Sequence, residues 1–123
     1  MADQMDVKVV TLHLGAYNGA TIMPLLYIPA TGGGITVLDA QLVGPSAGTV
    51  IGGILCEMSD IGTPAVAGTI GSFAGTVVTA AGVPAELTIS TAYVDGGQWI
   101  GFDQTSGTVP AGTFISLAYI MGK

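Results

Sequence analysis

Glycine and proline recur so often along this chain, 20 Gly and 6 Pro among 123 residues, that no segment of helical length keeps an apolar stripe at roughly 3.6-residue spacing without one of them breaking it. Glycine weakens a helix through backbone entropy, and proline through its missing N–H and its clash with the preceding turn. Thr, Val and Ile number 14, 12 and 11, and these β-branched side chains suit strands. A helical bundle is excluded, and short strands joined by tight turns are expected. At 123 residues the chain suits one compact domain, since two cores would each approach the lower size limit for independent folding. Glycine inside a strand costs about 0.5–1 kcal/mol relative to alanine, so most glycines belong in turns. Those within strand-like runs, Gly52, Gly53 and Gly101, are expected at bulges or close backbone approaches.

Alternation with period two marks the strands. Over residues 35–43, Leu38, Ala40 and Leu42 fall on one side, with Val37, Asp39 and Gln41 on the other. Over residues 86–94, Leu87, Ile89 and Tyr93 oppose Glu86, Thr88 and Ser90. Residues 98–103 follow Asp95-Gly96-Gly97, a turn sequence that tolerates positive φ, so 86–94 and 98–103 are expected to pair as a hairpin. Residues 113–121 are apolar on both faces, which predicts a strand covered on both sides, in mid-sandwich or beneath a neighbouring subunit. Further strands are expected at 7–14, 22–28, 49–56 and 76–79, with another near 66–70. Eight or nine short strands punctuated by turns such as Gly44-Pro45-Ser46 and Gly82-Val83-Pro84 predict an all-β, single-domain antiparallel sandwich or jelly-roll-like barrel. Ala-Gly-Thr recurs at Ala47, Ala67, Ala74 and Ala111 at unequal intervals, which is turn-into-strand punctuation rather than a solenoid repeat.

Charged side chains are 8% of the chain, and two basic residues face eight acidic ones for a net charge of −6. Such a balance cannot neutralise a phosphate backbone, so nucleic acid is not an expected partner. Mean hydropathy is +0.70, yet Pro24, Pro29, Asn18, His13 and the Gly32-Gly33-Gly34 run interrupt the charge-free stretch from Val9 to Leu38, nowhere does the chain offer about 20 consecutive apolar residues, and no membrane association is expected. Asp3, Asp6 and Lys8 are the wrong flank for a secretory leader. A lone Cys56 makes no intrachain disulfide, in keeping with synthesis in a reducing cytoplasm.

Candidate chemistry is sparse. Gly44-Pro45-Ser46-Ala47-Gly48 has the spacing of a nucleophile elbow and His13 could serve as base, but a β-branched run follows where the elbow needs a helix, so a turn is the better reading. His13 stands alone without the partners that a metal or a catalytic base needs. Cys56 reads as a small buried hydrophobe. Asp60, Asp95 and Asp103 match no calcium-loop spacing and read as turn formers. The triple glycine lacks the lysine and the helix of a phosphate loop. No catalytic, cofactor or metal site is expected. Trp99, with Tyr93, Tyr119 and Phe102 expected on neighbouring strands, could fill a core, anchor an interface or stack on a sugar.

Several phrases carry a family likeness. Gly34-Ile35-Thr36-Val37 through Leu42-Val43-Gly44-Pro45, then Ala47-Gly48-Thr49-Val50, Ala92-Tyr93-Val94-Asp95-Gly96-Gly97-Gln98-Trp99-Ile100-Gly101 and Gly107-Thr108-Val109-Pro110-Ala111-Gly112-Thr113 resemble small virion structural proteins of tailed bacteriophages, above all capsid decoration, or head cement, proteins. The resemblance covers about two thirds of the chain from Gly34 onward and is one of texture rather than of a defining motif. It implies a non-enzymatic protein, made in the host bacterial cytoplasm and placed on the outer capsid surface. There it would bind the major capsid protein lattice and associate with itself as a homotrimer. It also implies a polar amino-terminal arm at residues 1–6, ahead of a β domain at 7–123. The candidate interface is therefore Met1, Ala2, Asp3, Gln4, Met5 and Asp6, with Trp99. The alternatives are a carbohydrate- or receptor-binding module of a tail tip or fibre, and another tail or head-tail joining part. Independently of the likeness, a charge-poor surface rich in Gly, Thr and Ala loses little on desolvation, and monomers rarely leave large apolar patches uncovered.

Overall fold

The computed structural model describes residues 6–14, 22–31, 33–44, 51–59, 66–73, 85–107, 109 and 112–122. Within them the alternating runs become strands β1 (Lys8–His13), β2 (Met23–Tyr27), β3 (Ile35–Val43), β4 (Ile51–Met58), β5 (Gly68–Phe73), β6 (Ala85–Glu86), β7 (Thr88–Ile89), β8 (Tyr93–Val94), β9 (Trp99–Gly107) and β10 (Phe114–Met121). They form two antiparallel sheets, which we call A, in the order β1-β10-β3-β6 with β8 also on β3, and C, in the order β2-β9-β4-β5-β7. The first four strands alternate between the sheets, and the last two return to the middle of each, which is the winding of a jelly roll. The sequence expectation of an all-β sandwich holds, with ten strands among the described residues in place of eight or nine. The 76–79 run and the turns at Pro45 and Pro84 lie outside the described residues.

Both inner faces supply the core. Leu42, Ile115 and Leu117 of sheet A and Leu55, Ile100 and Phe102 of sheet C have no exposed surface. Phe73 and Phe102 meet as a tilted ring pair with centroids 6.3 Å apart, a preferred aromatic geometry. The expectation for glycines inside strands holds here: a Cβ on Gly53 would overlap the Phe102 ring, and the β4–β9 register shifts between Gly52 and Gly53. The Phe102 ring has room because the neighbouring strand of its own sheet carries no side chain at Gly53.

Three expectations need correction. The 86–94 run is not one strand: Ala85 and Glu86 pair with β3, Thr88 and Ile89 with β5, and Tyr93 and Val94 with β3 again. This segment stitches the two sheets along one side of the sandwich. The Leu87 N–H donates to the Ala40 carbonyl in sheet A, and those of Ser90 and Thr91 to the Ile70 carbonyl in sheet C. Consequently the Asp95-Gly96-Gly97 turn does not close a hairpin, because β8 lies in sheet A and β9 in sheet C. The turn itself is tight, with Gly97 at φ 86°.

The second correction concerns β3. Its bounds are as expected, but Val37 is buried with Ala40 and Leu42 while Leu38 is 38% exposed. A bulge in the β10–β3 ladder pairs Tyr119 with Val37 and Ala118 with Asp39, passing over Leu38. The extra residue reverses the phase of the alternation. The third concerns only the mid-sandwich alternative for β10, the strand between β1 and β3. Ile115 and Leu117 face the core, whereas Phe114, Ser116, Ala118 and Ile120 stay half-exposed on the outer face. Within one chain, β10 is covered on one side only.

Candidate interaction surfaces

Alternation and register determine what the outer face of sheet A presents. On β1, Leu12 points into the core, so Val9, Thr11 and His13 point outward. They stand beside Ala118, Ser116 and Phe114 of β10. On the far side of β10 lie Val43, Gln41 and Asp39 of β3. Val9 is 67% and Val7 50% exposed, and the His13 and Phe114 rings have centroids 6.2 Å apart. Acidic groups occur on this face at Asp39 and at Glu86, whose Oε1 accepts from Gln41 Nε2 at 2.8 Å. Beside β1 this face mixes apolar Val9, Ala118 and Phe114 with Thr11, Ser116 and His13, and the described residues place no carboxylate among them.

The expected arm is described only at its last residue. Met1, Ala2, Asp3, Gln4 and Met5 lie outside the described residues, and Asp6 is exposed. Its Oδ2 accepts from Lys8 Nζ at 3.0 Å, and this carboxylate holds the lysine above its ordinary range by a hydrogen bond and by charge attraction. An exposed pair of this kind adds little stability. Its effect is to cancel charge where the chain enters β1.

Trp99 begins β9 on the outer face of sheet C, opposite Tyr27 of β2 and Met58 of β4. The Tyr27 and Trp99 rings are tilted with centroids 5.1 Å apart. Trp99 is half-buried and Tyr27 45% exposed. Next along β9, Gly101 leaves room for Met58, whose Sδ a Cβ there would overlap. The aromatic neighbours expected for Trp99 are distributed otherwise: Phe102 is in the core, and Tyr93 and Tyr119 belong to sheet A. Tyr27 was not legible as the partner, because the β2–β9 pairing joins segments far apart in sequence. Tyr27 and Tyr119 instead line a cavity of about 130 Å³ with Leu26, Ile28, Ile35 and Met121. That volume resembles cavities of about 150 Å³ that admit benzene, so it has room for one small ring or apolar side chain.

The titratable groups are dispersed. Among the described residues no three of His, Cys, Asp and Glu come together as a metal site. Ser46 and Asp60 lie outside the described residues, His13 is exposed on β1, and Asp103 is half-buried on β9. Cys56 is buried on the outer side of sheet C, its Sγ donating to the Gly101 carbonyl at 3.4 Å. Burial, reinforced by the Asp103 charge, pushes its thiol up to about 12. Glu57 is raised by burial first and then by the Asp95 carboxylate, while the Asp95 backbone N–H donates to it and opposes the shift.

Compared with known proteins, the chain matches no family model, no curated protein and no solved structure.

Proposed function

We propose that the chain is a non-enzymatic structural protein of a phage virion that decorates and stabilises a capsid by binding the outer surface of the major capsid protein lattice. The observation that carries this reading is the outer face of sheet A. There β10, apolar on both faces in sequence, leaves Phe114, Ala118 and Ile120 half-exposed beside a strongly exposed Val9. Such a face suits burial against another protein, because apolar area is gained with few charges to desolvate. The scattered titratable groups support a binding role over catalysis, which needs an acid, base or nucleophile held against an orienting partner. The net charge of −6 disfavours nucleic acid as the partner.

The test is addition of the purified full chain to expanded empty heads that lack it. Saturable, stoichiometric occupancy is expected, and deletion of residues 1–6 should weaken attachment while leaving the circular dichroism spectrum unchanged. Absence of binding contradicts the reading, and unchanged occupancy after the deletion removes the arm from it.

A second reading, a carbohydrate-binding module, draws on the Tyr27–Trp99 pair beside the cavity, since an exposed aromatic face can stack on a sugar ring. It requires saturable quenching of Trp99 fluorescence by sugars, lost in Tyr27→Ala. The capsid reading, which docks the outer face of sheet A, requires no quenching of Trp99 by sugars.

A further inference from the structure

We propose that β1 is a self-pairing edge: two copies of the chain join antiparallel through β1 about a twofold axis, and their A sheets become one continuous sheet. This goes beyond the capsid reading and needs no capsid.

The argument begins with the sheet edges. A free edge strand offers unpaired N–H and C=O groups to any other strand, and natural proteins blunt such edges with proline, charged side chains such as lysine, bulges or very short strands. Here the β2 edge carries Pro24 and a register shift between Pro24 and Leu26. The opposite edges of both sheets end in the two-residue strands β6, β8 and β7. β1 is the least defended of the described edges: Lys8–His13 contains neither Pro nor Gly and pairs with β10 in unbroken register, and its one charged residue, Lys8, stands at its start with its charge met by Asp6.

The backbone geometry then identifies the edge-facing groups. The Leu14 N–H donates to the Thr113 carbonyl of the β10 side at 3.0 Å. Antiparallel pairs alternate between hydrogen-bonded and non-bonded, so Lys8, Val10 and Leu12 also direct their backbone groups to β10. Val7, Val9, Thr11 and His13 direct theirs to the free edge. A twofold axis at Val10 sets Val9 opposite Thr11 and Val7 opposite His13 of the second copy, so every edge-facing group meets another. Lys8 then lies opposite Leu12, so no like charges meet across the axis.

Charge selects a second copy as the occupant. A chain of net charge −6 repels itself where its carboxylates lie, and on sheet A Asp39 and Glu86 sit on β3 and β6, away from β1. At β1 the Asp6–Lys8 pair cancels. The same approach puts the Val9–Ala118 row of each copy in line with the Thr11–Ser116 row of the other, so no ionic side chain enters the outer face at the join. It favours twofold association over the threefold symmetry that the phage resemblance implies.

Thr11→Pro tests this with little cost to the monomer, since the N–H it removes faces away from β10 and proline is tolerated at such edge positions. Light scattering on the eluting full chain should give a two-chain mass at high concentration for wild type and a one-chain mass for Thr11→Pro, with equal circular dichroism. Hydrogen exchange at the Val9, Thr11 and His13 amides should slow as wild-type concentration rises, while Val10 and Leu12 stay protected throughout. Val9→Lys, which adds like charge to both edges, should weaken association at least tenfold at low salt, and it decides the matter if Thr11→Pro does not fold. A wild-type chain that stays single, or an oligomer that survives both substitutions with fast-exchanging edge amides, overturns the proposal.

Discussion

Cys56 and Glu57 are neighbours in sequence on opposite faces of β4, and their chemistry diverges accordingly. The Cys56 thiol, pushed up to about 12 by burial, holds almost no thiolate near neutrality, and the thiolate is the reactive form. A thiol-specific disulfide reagent at pH 8 should therefore leave the folded chain unmodified and label it promptly in denaturant. Rapid labelling of the native protein would contradict its placement. Glu57 is raised above its ordinary 4.5, so the folded state holds its proton more tightly than the unfolded chain does. Its contribution to stability is then largest in acid and declines as pH rises through the unfolded value and on through the folded one. Glu57→Gln keeps an acceptor for the Asp95 N–H and removes the charge, so it should raise Tm at pH 7 and leave Tm unchanged below pH 4. A lower Tm at pH 7 would place the carboxylate in a stabilising contact instead.

Among elements, what could be read in advance was the local alternation, and what could not was the route between sheets. β3 was legible in its bounds because nine residues alternate without a glycine. Its phase was not, because the bulge passing over Leu38 is a property of the β10–β3 pair. Likewise Asp95-Gly96-Gly97 announces a tight turn but not which strands flank it in space, and here the turn carries the chain from sheet A to sheet C. The candidate surface divided in the same way. The two apolar faces of β10 were visible as a pattern, whereas the Tyr27–Trp99 pair required the long-range β2–β9 ladder. Gly97, at φ 86° with its N–H donating to Ile28, anchors that crossing. A Cβ there would meet Ala30 at an ordinary 3.7 Å, so Gly97→Ala carries a conformational cost alone, about 1–2 kcal/mol. Urea unfolding should show that loss with an unchanged slope. No loss would mean that the crossing does not depend on the left-handed residue.

At the scale of the whole molecule, the scarcity of charge and the exposure pattern tell one story. Only 8% of residues are charged, and the large exposed apolar side chains include Val7, Val9, Leu38 and Met121 at sheet A. That sheet has a thinly defended edge at β1 and an outer face short of ions, both suited to coverage by protein. The most direct measurement is sedimentation equilibrium of the full chain over a wide concentration range, alone and with expanded empty heads. The account predicts a weight-average mass that climbs above one chain as concentration rises, and co-sedimentation with the heads. A constant single-chain mass at every concentration, with the heads sedimenting bare, would contradict it.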